Sequence, residues 1–104
     1  MNRVAFKMKL HPGQLQEYKK RHDALWPELK ELLKKSGIED YSIFLDEVKL
    51  DLFGVLKITD VKNLDTLPLD PVMKKWWSYM KDIMESNADH SPVSIPLKEV
   101  FHLP

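Results

Sequence analysis

A tyrosine and a histidine stand four residues apart in the stretch YKKRHDALWPE, residues 18 to 28. On a helix this spacing places the phenol of Tyr18 and the imidazole of His22 side by side on one face, where both can act on one small ligand. Histidine is the side chain whose ordinary pKa lies nearest neutral pH. The spacing therefore predicts a pair of residues that can transfer a proton.

Aromatic residues and a helix break surround this pair. Trp26 follows His22 by one helical turn, and Pro27 cannot donate the backbone hydrogen bond to residue 23, so the helix should kink or end there. The helix dipole then favours protonated His22, whereas burial favours the neutral ring, and the sequence leaves both open. Periodicity alone also fits a different interpretation, a buried structural histidine held by hydrogen bonds.

Three further aromatic residues are candidates for ligand contact. Trp76 and Trp77 are adjacent, so on a helix they point about 100° apart and cannot both enter one core. One indole should pack at an interface or offer its face to the C–H face of a sugar ring. Tyr41 opens a strand, where a half-buried structural aromatic is the commoner case.

Metal ions and nucleotide cofactors have no recognisable binding motif. The four histidines lack metal-ligand spacing, and they are His11, His22, His90 and His102. The three glycines, Gly13, Gly37 and Gly54, form no phosphate-binding loop. The sequence therefore predicts chemistry without a metal or a cofactor.

The elements that must position these residues follow the order strand, helix, strand, strand, helix, strand. This is the split βαβ pattern (βαββαβ) of an α+β, ferredoxin-like sandwich, with helices on one face of a four-stranded sheet. Gly54 should mark a close approach or a bulge. The expected elements are strand 3–10, a helix from residue 15 that breaks at Pro27 and stops at Gly37, strands 41–46 and 52–58, helices 60–67 and 70–85, and an edge strand in 96–104.

The 104 residues suit one domain, spanning 1–104, with a single core. Sixteen basic residues balance sixteen acidic ones, so no net field attracts nucleic acid or an anionic membrane. There is no cysteine and no unbroken apolar run, which predicts a cytoplasmic protein rather than a secreted or membrane one. The poorly alternating last strand and the open sheet face predict a homodimer.

Several motifs resemble one family across nearly the whole chain. Arg21-His22 followed by Trp26-Pro27-Glu28-Leu29 resembles the signature of bacterial L-rhamnose mutarotases. Family segments follow in the same order and spacing: R-x-A-F-x-M from Arg3, Y-S-I-F-L-D from Tyr41, W-W-x-Y-M-x-D-I-M from Trp76, then S-P-V-S and E-V-F-H-L. The chain departs mainly at 60–73, where Leu64 replaces a tryptophan that the family often carries.

This resemblance implies a dimeric α/β-barrel and an isomerase that interconverts the α and β anomers of L-rhamnose, the sugar being its partner. Carried onto matching positions, it makes His22 the catalytic acid and Tyr18, Tyr41, Trp76 and Trp77 the substrate contacts. It implies no cofactor and no metal. Two other classes stay open, a cofactor-free monooxygenase of the dimeric α/β-barrel class and a non-catalytic sugar-binding module. An RNA-binding module is disfavoured by the neutral charge.

Overall fold

A four-stranded antiparallel sheet forms the frame of the protein, with its strands in the order β2 (Ile38–Asp46), β3 (Asp51–Ile58), β1 (Asn2–Lys9) and β4 (Ile95–Leu97). The computed structural model describes all residues, Met1–Pro104. Strand β3 lies between β1 and β2, which confirms the expected split βαβ arrangement. The elements are β1 (Asn2–Lys9), α1 (Leu15–Asp23), α2 (Pro27–Lys35), β2 (Ile38–Asp46), β3 (Asp51–Ile58), α3 (Asn63–Thr66), a 3₁₀ turn (Leu67–Leu69), α4 (Pro71–Met80) and β4 (Ile95–Leu97).

Strict alternation along β3 creates the two faces of the sheet. Leu52, Gly54, Leu56 and Ile58 are buried toward the helices, while the residues between them face the other way. In β1 the same inner face carries Val4, Phe6 and Met8, as their pairing with β3 requires. The helices cover only this side of the sheet.

No helix is long and apolar enough to cross a membrane.

Strand β2 contains a bulge that the sequence pattern did not reveal. The pairing passes from Glu39 opposite Lys57 to Ser42 opposite Val55, so Asp40 and Tyr41 together face the one position of Leu56. An extra residue reverses the alternation of side chains beyond it. Ile38 and Tyr41 therefore both point toward the helices, although they are three residues apart.

The predicted helix break at Pro27 is confirmed. Helix α1 ends at Asp23, and Pro27 occupies the first turn of α2, where its missing N–H costs nothing. Trp26, the residue before the proline, is extended with φ −59° and ψ 131°. The turn between the helices leaves His22 in the last turn of α1.

The expected helix 70–85 is too long and is corrected to Pro71–Met80. The sequence pattern places Ile83 on the apolar stripe of this helix and Met84 at its margin. Both residues are buried, but they lie beyond the helix, and Met84 forms a β-bridge with Leu10. Tyr79, which the same pattern places on the apolar stripe, is 43% exposed. The expected start of this helix at Asp70 is confirmed, since the Asp70 carboxylate accepts the Val72 N–H at 2.8 Å.

Two other expected elements are shorter than predicted. The last strand comprises only Ile95–Leu97, and residues 98–104 form no regular structure. Pro96 has no N–H to contribute to the ladder with β1, which limits that strand. The predicted helix 60–67 is a single turn, Asn63–Thr66, continued by the 3₁₀ turn.

Gly54 marks a close approach, as expected, and not the bulge. A Cβ at Gly54 would lie 2.4 Å from Cζ of the Phe6 ring on the neighbouring strand. Phe6 in turn contacts the Tyr41 ring edge to face, with ring centres 6.1 Å apart. The missing side chain at Gly54 thus makes room for the ring that supports Tyr41.

We predict that Gly54→Ala lowers the free energy of unfolding by about 1–3 kcal/mol, the usual cost of overpacking a core. Urea unfolding measures this change. Because the collision is with Phe6, the cost of Gly54→Ala should shrink in the Phe6→Leu background. An equal cost in both backgrounds would show that the Phe6 ring is not the cause.

Candidate active site

Two adjoining cavities lie between the sheet and the helices. The larger one has a volume of about 710 Å³ and the smaller one about 60 Å³. The larger volume is typical of a site for a small molecule. All five residues predicted from the sequence line both cavities, and they are Tyr18, His22, Tyr41, Trp76 and Trp77.

Tyr18 and His22 form a stacked pair on α1, as their four-residue spacing predicts. Their ring centres lie 4.2 Å apart with an interplanar angle of 30°. Nδ1 of His22 lies 2.9 Å from the backbone carbonyl oxygen of Tyr18. A carbonyl oxygen only accepts hydrogen bonds, so Nδ1 carries the proton and donates it. The other ring nitrogen, Nε2, makes no hydrogen bond within the protein and is available to a ligand.

Burial decides the charge of His22. Desolvation lowers its pKa below the ordinary value of 6.5, outweighing the hydrogen bond to the Tyr18 carbonyl and the nearby charge of Asp23, which both raise it. The position of His22 in the last turn of α1 acts in the opposite direction to burial and favours the protonated ring. His22 is therefore mainly neutral at pH 7, with a lone pair on Nε2.

The two tryptophans have different environments. Trp76 is only 6% exposed. The rings of His22 and Trp26 both contact it edge to face, with ring centres 5.4 and 5.1 Å from that of Trp76. Trp77 is half-buried and takes part in none of these aromatic contacts, yet it lines both cavities. Trp76 thus supports the imidazole, and Trp77 is the indole with a face to offer.

Tyr41 reaches the same site from the sheet. Although 39% of the residue is exposed, its hydroxyl lies among protein atoms, and desolvation raises the pKa of the phenol. Burial raises the pKa of Tyr18 as well, with a further contribution from Tyr41. Both hydroxyls therefore stay protonated at neutral pH and can donate hydrogen bonds.

Sequence reasoning missed two polar residues of the site, Ser86 and His90. Both line the smaller cavity from the loop after α4. His90 has a left-handed backbone, with φ 72°, held in a turn in which its N–H donates to the Asn87 carbonyl at 3.0 Å. The only signal was that this polar loop follows the helix that carries the tryptophans.

The segment that departs from the family pattern forms part of the larger cavity. Leu64, Leu67, Pro68 and Met73 line it with apolar surface. These side chains lie in the short helix, the 3₁₀ turn and the start of α4. This segment thus gives the larger cavity an apolar wall.

No three His, Cys, Asp or Glu side chains converge on a metal position. The imidazole of His22, with its free nitrogen, and two phenols line cavities that are mainly apolar. Charged side chains also line the larger cavity, and they are Lys19, Asp23, Lys30, Lys34, Glu39 and Asp40. Such a site can bind a neutral hydroxylated molecule and exchange protons with it.

Known proteins of similar sequence carry one name. The sequence model of the family described as L-rhamnose mutarotase matches residues 3–103. A relative of that name from Rhizobium meliloti is 57% identical over 99% of each chain. Another, from Formosa agariphila, is 54% identical, again over 99% of each chain.

Solved structures agree with this likeness. The crystal structure of an L-rhamnose mutarotase from Formosa agariphila has a TM-score of 0.93 at 53% identity and covers all of both chains. An antibiotic biosynthesis monooxygenase has a TM-score of 0.52 at 14% identity, covering 96% of this chain and 99% of its own. The latter shows the fold alone, which is the ferredoxin-like unit of dimeric α/β-barrels.

We predict that His22 makes the fold less stable below about pH 6.5. The lowered pKa means that the unfolded chain binds a proton at His22 before the folded protein does. The stability due to neutral His22 is thus complete above pH 6.5 and is lost as the pH falls below it. Urea midpoints at about pH 7.5 and about pH 5.5 measure this loss.

His22→Gln should lose less stability than the wild type between these two pH values. His11→Gln, a change outside both cavities, is the matched control and should keep the wild-type dependence. An identical loss in wild type and His22→Gln would contradict the assignment.

Proposed function

The chain belongs to the L-rhamnose mutarotase family, and we propose that its two adjoining cavities bind L-rhamnose and interconvert the α and β anomers. It is an isomerase by its family. The family match favours this activity over the monooxygenase and the non-catalytic sugar-binding module that the sequence left open. The observation that carries the proposal is a neutral imidazole with a free Nε2 at a cavity lined by phenols and indoles.

Mutarotation needs one proton removed and one supplied. As the anomeric hydroxyl loses its proton, its electrons form the C1 carbonyl, the bond from C1 to the ring oxygen breaks, and the ring oxygen takes up a proton. Rotation about C1–C2 presents the other carbonyl face, and the reverse transfers close the ring. Neither step requires a cofactor or a metal.

We assign the central proton transfer to Nε2 of His22. Because the ring is mainly neutral at pH 7, it begins as a base, and once protonated it is the acid that returns the proton. The family resemblance implies that His22 is the acid. In this scheme His22 acts as the acid only after it has accepted a proton as a base. Tyr18 and Tyr41, which stay protonated, supply hydrogen bonds to the sugar oxygens.

Saturation-transfer NMR on equilibrated L-rhamnose tests the activity directly. Saturating the α-anomer signal should reduce the β-anomer signal when the protein is present, because exchange becomes fast relative to relaxation. A protein that binds the sugar without this transfer would be a sugar-binding module. Oxygen consumption with an aromatic substrate would instead indicate the monooxygenase.

The sheet has one open face, which suits a second copy of the chain. The face away from the helices carries exposed Phe44, Ile95 and Leu97. The last residues add Val100 and Phe101, which are 89% and 78% exposed. A surface of this kind is typical of an interface, so we propose a homodimer closed across this face.

We also propose that the enzyme acts in the cytoplasm. The chain has no cysteine and hence no disulfide of the kind that stabilises small secreted domains. Subcellular fractionation of the source cells tests this location, and enzyme found outside the cytoplasm would contradict it.

We predict that His22→Ala lowers the anomer exchange rate by about 10²- to 10⁴-fold while the protein stays folded, because a positioned acid or base contributes about that much. Exchange spectroscopy and melting temperature are measured on the same sample. A structural histidine would lose stability first and activity only in proportion to unfolded protein. Full exchange in folded His22→Ala would transfer the chemistry to another residue, with Tyr18 the nearest.

We predict that the two tryptophan variants differ in kind. Trp77→Ala should mainly raise the rhamnose concentration for half-saturation, because it removes a face that contacts the sugar. Trp76→Ala should also lower the maximal rate and the melting temperature, because Trp76 is buried against His22. Equal effects of both variants on saturation alone would contradict the distinction.

We predict that Phe44→Glu yields monomers. The residue is 63% exposed on the apolar sheet face, and an interface of the standard ~1,600 Å² across that face would bury the introduced charge without a partner. Val48→Glu is the matched control, since Val48 is 91% exposed in the turn between β2 and β3 and should leave the dimer intact. Sedimentation that shows wild-type monomers throughout the micromolar range would overturn the dimer.

A further inference from the structure

Helix α1 carries the proposed catalytic histidine, yet its backbone packs closely against no other helix or strand. Side chains must therefore fix its position. Tyr18 anchors one side by burial in the core, where it is 7% exposed. The other anchor is Arg21, the residue immediately before His22.

Arg21 joins α1 to the end of α4 through charged hydrogen bonds. Its Nη1 and Nη2 donate to the two carboxylate oxygens of Asp82 at 2.9 and 3.2 Å. Nη1 also donates to the Tyr79 carbonyl at 2.7 Å, and Nε donates to Glu17 at 2.8 Å. The Arg21 side chain is only 10% exposed, whereas the Asp82 side chain is 60% exposed, so the buried guanidinium reaches a carboxylate at the surface in a bidentate arrangement.

The Arg21 guanidinium also packs against an aromatic cluster beside His22, which consists of Tyr79, Trp26 and Trp76. Its central carbon lies 4.4 Å from the centre of the Tyr79 ring. The Tyr79 ring stacks on that of Trp26, with ring centres 5.5 Å apart, and contacts the Trp76 ring, with centres 5.7 Å apart. Trp76 in turn contacts the imidazole of His22 edge to face. Arg21 is thus connected to His22 through one helix and through one set of packed rings.

Arg21 lines neither cavity and cannot touch a bound sugar. We propose that Arg21 is a positioning residue for anomer exchange, which holds His22 on α1 at a fixed place relative to Trp76 and Trp77 on α4. This role rests on the proposed function. Asp82 and Glu17 are the charged groups that face Arg21, and the ion pair lowers the pKa of Asp82 below its ordinary value of 3.8. The ion pair therefore remains charged throughout the neutral range.

The test compares Arg21→Lys, Arg21→Gln and Asp82→Asn with the wild type. Lysine keeps the charge but has no planar fork to reach both oxygens of Asp82 and the Tyr79 carbonyl, so it should not rescue activity. We expect both Arg21 variants to lower the maximal exchange rate by about 10- to 10²-fold, the cost of displacing a catalytic group by about 1 Å. The half-saturating rhamnose concentration should change less than about twofold, because the sugar contacts remain.

Three further measurements separate positioning from general stability. The pKa of His22, followed by ¹⁵N NMR, should rise toward its ordinary value in Arg21→Gln as the ring becomes better solvated. Asp82→Asn should show a smaller effect, and the double variant should be no worse than Arg21→Gln alone, because both changes remove the same contact. Lys20→Gln, an exposed neighbour on α1 without such partners, is the matched control and should behave like the wild type.

The outcomes distinguish this role from the proposed function. Arg21 variants that melt earlier, yet keep full exchange and an unchanged His22 titration at a temperature where they are folded, would show that Arg21 is only structural. An Arg21→Gln protein that does not fold leaves Arg21→Lys and Asp82→Asn to decide the matter by the same criteria. Absent exchange in the wild type, or full exchange in His22→Ala, would overturn the proposed function itself.

Discussion

The hydrogen bond from Nδ1 of His22 to the Tyr18 carbonyl is the interaction on which the rest of the site depends. It selects one tautomer and holds the ring at 4.2 Å from the phenol that stacks on it. Without it, rotation of the imidazole would exchange the two nitrogens and the cavity would face either a donor or an acceptor. The contact is local to one helical turn, so only the placement of α1 remains to be set by the tertiary structure.

The sheet provides the opposite side of the site through a bulge and a glycine. The bulge at Asp40 and Tyr41 reverses the side-chain alternation of β2, so Tyr41 points toward α1 and not away from it. Gly54 leaves room for the Phe6 ring against which Tyr41 rests. The bulge and Gly54 together direct the Tyr41 phenol into the cavity, while the inner face of the sheet stays apolar and buried.

Much of this arrangement was predictable because it depends on short-range patterns. The Tyr18–His22 pair follows from helical spacing, the break from Pro27, and the different environments of Trp76 and Trp77 from their adjacency. The bulge was not predictable, since the residue types of Asp40 and Tyr41 do not distinguish a bulge from a regular strand. The charge of His22 depends on how deeply its ring is buried, which only the packed structure shows. His90 enters the site through a loop conformation that no periodicity indicates.

A fold shared with an antibiotic biosynthesis monooxygenase does not itself specify the chemistry. What distinguishes this chain is the set of side chains that project into the space between sheet and helices. Tyr18 and His22 enter this space from α1 and Tyr41 enters it from β2, while Leu64, Leu67 and Met73 give the larger cavity an apolar wall. The residues proposed for proton transfer and those that form the apolar wall therefore belong to different segments of the chain.

The most direct test of this account is the tautomer of His22, observed by long-range ¹H–¹⁵N correlation NMR at neutral pH. The structure requires a neutral ring with the proton on Nδ1 and an unprotonated Nε2, and the Nε2 signal should shift when L-rhamnose is added. A ring protonated on both nitrogens, or a neutral ring with its proton on Nε2, would contradict the account, because no lone pair would then face the sugar.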